Sequence, residues 1–354
     1  MVFDLGLQES TAELVARGKL TTKEAHFRHI LFLGAYVYDH MWSLYLGRPS
    51  TIPKSYMMAV QRHIAERDWQ IVPTLQAWVS LATEIGNAAE MLNNASPLTR
   101  DRFDLLTQLD AELDKQCADL PGSRLLEADQ LSELPAETYG LHVQYRGVRI
   151  ILHRLLVKSL EQDLDDTPSS QLKIQRSRII MHANATRIAQ LTSAYSRIFG
   201  TENFITVMLD NMFVAAALLV THVIRHQQED FAPSLAISEN QDMYWLDCLA
   251  TLFQMAQGHY PVAIRMRQAL ASLVEHSPLV GMFGSWTSAA RRLPNDLQTQ
   301  QTAPVANMRH NVHSEISLSE QDWFMQASFS NDGRLPSQEM DMTNMMSWML
   351  SPVV

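Results

Sequence analysis

The sequence is 354 residues long, 46% hydrophobic and 19% charged, enough to bury a large core in one to three domains. A formal net charge of −10 and a pI near 5.7 exclude an overall electrostatic footprint for nucleic-acid phosphates. Only Cys117 and Cys248 occur, which excludes a disulfide framework and a cysteine-based zinc module and points to a reducing compartment.

Asp4, Glu9 and Glu13 interrupt any apolar run near Met1, so no signal peptide is read there. Ser10-x-x-Glu13 and Thr21-x-x-Glu24 both have capping-box spacing and predict helix starts. A helix from about Thr22 to Leu46 carries Tyr36, Tyr38, Trp42 and Tyr45. Gly47 suits its left-handed C-terminal position, and Pro49 forbids its resumption. Apolar residues three and four apart predict a helix from Trp69 to Asn93. Ser96-Pro97 then reads as a cap opening another through Leu106, Leu109, Leu113 and Cys117. "DLPGSRLLEADQLSELP" reads as a loop or broken turn. The next helix, Ala136 to Gln162, ends in the polar breaker "DLDDTPSS". Further helices fit 171–198, 203–227, 239–257 and 261–276, separated by Gly200, "QQEDFAPS" and Gly258. "NMFVAAALLVTHVI" is apolar but shorter than the about 20 residues of a membrane span, and reads as a buried core helix. No strand period, hairpin signal or internal repeat stands out, so the expected fold is all-α.

After Pro294 the composition changes. "NDLQTQQTAPVANMRHNVHS" has no apolar period and reads as disordered. Residues 295–354 hold seven acids against Arg309 and Arg334, half of the net charge. Among those acids sit Trp323, Phe324, Phe329, Met345, Met346 and Trp348. Such acidic-hydrophobic mixing marks an activation segment, with these six side chains offered to a partner's groove. The alternative is a C-terminal helix that docks Trp348 and Met349 on its own core. The chain thus divides into a helical body, 1–294, and a tail, 295–354.

Catalytic patterns are sparse. His222 and His226 are four apart, a metal-competent spacing, but Val223 stands where a zinc protease has Glu. They read as the polar end of a core helix, interacting with its carbonyls. The pairs His26/His29 and His310/His313 read as solvated surface residues. Asp165-Asp166 raises a diphosphate-binding site, yet Ser169 and Ala303 stand where its two metal motifs need acids. No phosphate-cradling glycine loop or nucleophile turn is found. No catalytic residue, metal ligand or cofactor is assigned.

"AYVYDHMWSLYLGRPSTIPKSYM" resembles the middle homology region of fungal zinc binuclear-cluster transcription factors. The matching positions are Asp39, Trp42, Leu46, Gly47, Arg48, Pro49, Ser50 and Ile52. "LHVQYRGVRIILHRLL" is similar to a downstream helix of that family, through Tyr145, Leu152, His153 and Arg154. The similarity runs loosely from about 25 to 290, with the specific motifs in these two stretches. Physically, Arg48 either satisfies carbonyls, pairs with Asp39 or faces solvent, and Trp42 is expected to be buried. His40 stands where the family usually has Arg, and Leu155 where it has Pro. The family's six-cysteine DNA-binding cluster is absent. The resemblance therefore implies a nuclear transcriptional regulator acting through other transcription factors or coactivators. No specific DNA binding of its own and no membrane association are expected, while a homo- or heterodimer stays open. The alternatives are an all-α enzyme, such as a terpenoid-type cyclase, and a ligand-sensing helical module.

Overall fold

The computed structural model describes residues 2–9, 11–46, 49–61, 74–93, 100–120, 122–123, 126, 130–131, 134–162, 167–228 and 236–275. Over these residues the protein is all-α and has no strand. The elements are α1 (Thr11–Ala16), α2 (Thr22–Leu46), α3 (Lys54–Gln61), α4 (Leu75–Asn93) and α5 (Arg100–Ala118). Then follow α6 (Ala136–Gln162), α7 (Pro168–Phe199), a 3-10 turn (Thr201–Asn203), α8 (Thr206–Gln228), α9 (Ala236–Ala256) and α10 (Pro261–Glu275). The short α3 carried no legible period. The tail, the Ser10 cap, the Ser96-Pro97 cap and the boundary at 294 lie outside the described residues.

Local chemistry sets the boundaries. At the start of α2, Thr21 N–H donates to Glu24 Oε2 at 2.7 Å, and Glu24 N–H donates to Thr21 Oγ1 at 3.2 Å. This is the reciprocal satisfaction that the capping-box spacing predicts. Helix α7 starts three residues earlier than expected because Thr167 caps it, accepting from Ser170 N–H at 3.2 Å, with Pro168 at the first helical position. It stops at Gly200, whose φ of 83° suits glycine.

The core is organised around α6. Its residues Leu141, Val143, Tyr145, Val148, Ile150, Ile151 and Leu152 are all at most 2% exposed. With buried His142 and His153 they fall on every side of the helix, so α6 must be covered all round. Helices α4 and α5 pack against it, as do α7 and α8; α2 reaches the body through α4. Helix α8 is the second central element. Residues Thr206–Arg225 are long and apolar enough to cross a membrane, but 78% of that window is buried inside the fold. Helices α6, α7, α9 and α10 supply the cover. At the α6–α8 crossing, a Cβ on Gly147 would lie 1.5 Å from Asn211 Oδ1, so only glycine lets the two helices approach. Asn211 is held there by donating its Nδ2 to Gln144 Oε1 and to the Val207 carbonyl, both at 2.7 Å.

Candidate functional site

The family-like residues occupy two places, joined by α4, which packs on both α2 and α6. Near the end of α2, the Asp39 carboxylate meets the segment that leads into α3. Its Oδ2 accepts the backbone N–H groups of Thr51 at 2.7 Å and Ile52 at 2.8 Å, and its Oδ1 accepts the Thr51 hydroxyl at 2.6 Å. Three donors on one carboxylate fix the direction in which the chain leaves the helix, and Ile52 beyond them is buried. Gly47 and Arg48 lie outside the described residues. Trp42 is half-buried, a correction to the expected buried ring, while Tyr36 takes the fully buried position. Pro49 is exposed. His40 is fully buried, and its Nδ1–H donates to the Tyr36 carbonyl at 3.0 Å. Burial pushes this imidazole's pKa down, favouring the neutral ring. A guanidinium at that position would have to bury its charge.

The second place is the seam between α5 and α6, where charge holds the helices together. Arg149 donates Nε to Asp110 Oδ1 at 2.9 Å and Nη2 to Oδ2 at 3.3 Å, and its Nη1 pairs with Asp114. His153 Nε2 lies 3.2 Å from Asp110 Oδ2, at ion-pair distance without hydrogen-bond alignment. Its Nδ1 is 3.2 Å from Ser177 Oγ on α7, so His153, on α6, links α5 and α7. Burial opposes the charge on Asp110, but His153 and Arg149 outweigh it and hold the carboxyl down to about 2. Tyr145, also buried, donates its hydroxyl to Gln116 Oε1 at 3.0 Å, an acceptor shared with Ser80 of α4 at 3.1 Å. Half-buried Arg154 follows in the same helix, and desolvation pulls its pKa down to about 10. Both places are joints between helices. In chemical terms they position segments.

The histidines depart from their sequence reading. His29 is buried, correcting its assignment to the surface, because α1 folds over α2 and places Thr11 Oγ1 2.5 Å from His29 Nε2. His26 is half-buried. His310 and His313, like the tail residues Trp323, Phe324, Phe329, Met345, Met346 and Trp348, lie outside the described residues. His222 bonds to a side chain on another helix. Its Nδ1 is 2.8 Å from Asp242 Oδ2 on α9, and His182 Nε2 of α7 is 2.7 Å from Asp242 Oδ1. The two imidazoles lie 4.2 Å apart between ring centroids, tilted by 31°. Asp242 is 1% exposed. Burial resists its ionisation, yet hydrogen bonds from both rings outweigh that and lower its pKa. Sequence spacing flagged His222 but paired it with His226, one turn away. Its real partners are 40 residues before and 20 residues after it, on other helices.

The described polar side chains join helices of an all-α body. The sequence comparison is more particular. The chain is similar to the nitrogen assimilation transcription factor nirA of Emericella nidulans, 24% identical over 326 residues. The match covers 82% of this chain and 34% of that protein, so the chain spans about a third of the length of the curated relative. The likeness is thus to a fungal transcription factor, a protein that is not an enzyme. No family model matches the sequence, and no solved structure matches the chain.

Proposed function

We propose that the chain is the helical regulatory part of a nuclear transcriptional regulator of the fungal zinc-cluster type, acting through protein contacts. The observation that carries this reading is the likeness to a transcription factor across 82% of the chain. It is supported by the use of Asp39, Tyr145 and His153, the family-like positions, as helix joints. The acidic tail is the activating segment. Trp323, Phe324, Phe329, Met345, Met346 and Trp348 enter a groove on a coactivator or another transcription factor, and burial of the rings supplies most of the binding energy.

The experiment fuses the whole chain, and separately residues 315–354, to an unrelated DNA-binding domain upstream of a reporter. Both fusions are expected to activate. Alanine at Trp323, Phe324 and Trp348 is expected to abolish activation, whereas Glu339→Gln with Asp341→Asn weakens it less, since peripheral charges chiefly aid encounter. Inert fusions would overturn the activation role. Nanomolar, sequence-selective DNA binding by the purified chain would overturn the dependence on protein contacts.

A further inference from the structure

We propose that His182, His222 and Asp242 form a binding site for one divalent transition-metal ion of the zinc class, clamping α7, α8 and α9 together. The donor atoms of the three residues all lie within 4.8 Å of one another. A tetrahedral ion with bonds of about 2.0–2.1 Å needs donors about 3.3 Å apart. The carboxylate oxygens are 2.7 and 2.8 Å from the imidazole nitrogens and no two donors are more than 4.8 Å apart, so ring and carboxylate rotations have to open the short pairs and close the wide one to reach that spacing. Two imidazoles and one carboxylate select zinc, cobalt, nickel or copper over magnesium or calcium, which prefer oxygen throughout.

The placement of the set argues for an ion as well. Asp242 has its side chain only 2% exposed, while His182 and His222 keep 24% and 26% exposure. The buried anion thus forms the floor and the two rings form the rim. A fourth coordination position faces solvent and accepts water or a donor from a bound molecule, the arrangement of three protein ligands that leaves a zinc ion open to exchange. Each donor comes from a different helix, and none is adjacent in sequence to another. The ion therefore closes long loops and stabilises the folded chain in proportion to its occupancy.

The test uses the full chain, stripped with a chelator and titrated with Co(II) and then Zn(II). The expected result is one ion per chain, a Co(II) visible spectrum of four-coordinate nitrogen and oxygen ligation, and a melting temperature that rises with zinc. His182→Gln, His222→Gln and Asp242→Asn are each expected to weaken binding by at least the about 10–100-fold that a lost outer partner costs, and to remove the zinc-dependent rise. A control with His310→Ala and His313→Ala should bind like the parent. Absence of stoichiometric uptake, a sulfur charge-transfer band from Cys117 or Cys248, or substituted chains that bind as tightly as the parent would each overturn the site. X-ray absorption of the zinc-loaded parent decides the matter even if the variants fail to fold. Scattering from two imidazoles supports the assignment, and a shell without them refutes it.

Discussion

At the α5–α6 seam, Asp110 is largely buried against Arg149 and His153, and its carboxyl is held down to about 2. On α8, Asp210 is buried too, and desolvation alone pushes its carboxyl up to about 7. Burial acts in the same direction on both, against the charged form. The outcome differs because α6 brings a guanidinium and an imidazole to one of them. The first acid is a clasp between helices. The second is a liability that the fold tolerates above neutral pH. A buried acid in this protein is therefore read by its partner before its exposure.

The sharpest way to break the comparison is Asp110→Ala. It strands Arg149 and His153 in a half-dry seam, which costs roughly 3–5 kcal/mol when a buried pair loses one member. The lower end is expected because Asp114 still faces Arg149. Chemical denaturation at pH 7 measures the loss. The pH dependence supplies a second reading. Asp110 has a folded pKa below the ordinary carboxylate value, so its contribution is fully present above about 4 and is lost as pH falls towards about 2. Asp110→Asn should flatten that acid limb, and an unchanged limb would remove the clasp.

Asp210→Asn should act with the opposite sign. The folded pKa is raised, so the parent loses stability as pH climbs from about 4 to about 7, where the folded state gives up a proton that the unfolded chain has already released. The substitution is expected to stabilise at pH 8, below a ceiling of about 4 kcal/mol set by the shift, and to do little at pH 4. Denaturation midpoints at the two pH values decide it. A variant equally destabilised at both would show that the carboxylate has a partner.

Gly147→Ala is the smallest of the three effects. It sets a methyl group against Asn211 at the uncharged crossing of α6 and α8. Overpacking costs about 1–3 kcal/mol, and the better helix propensity of alanine returns up to about 1. The loss should shrink when Asn211 is also made alanine, a coupling that a double-mutant cycle reads directly. Additive losses would mean that α6 yields elsewhere.

Much of this architecture was legible because it is local. The Thr21/Glu24 box and the apolar spacing of Leu141, Tyr145, Val148 and Leu152 fix α2 and α6 at their observed bounds. Helix α3 escaped notice because eight residues after Pro53 give barely two turns of period. The joints were half legible. Asp39 and His153 stood out through the resemblance, but their partners Thr51 and Asp110 did not, since nothing in a sequence says that a carboxylate will reach twelve or forty-three residues along the chain. The His182–His222–Asp242 set was illegible for the same reason. A four-residue spacing pointed His222 along its own helix, whereas packing turned it across to α9. Its signal was a histidine in the polar end of an otherwise apolar helix.

That apolar helix has a consequence for how the chain is made. Thr206–Arg225 could pass for a membrane span by length and composition. Synthesis runs from the N-terminus, so α6 and α7, which form half of its cover, leave the ribosome first. The other half, α9 and α10, is still inside the tunnel or untranslated when α8 emerges. For that interval one greasy flank of a nascent helix is bare, open to chaperones and to the machinery that sorts signal anchors. A slow stretch of translation after Gln228 would lengthen the exposure, and a fast one would shorten it.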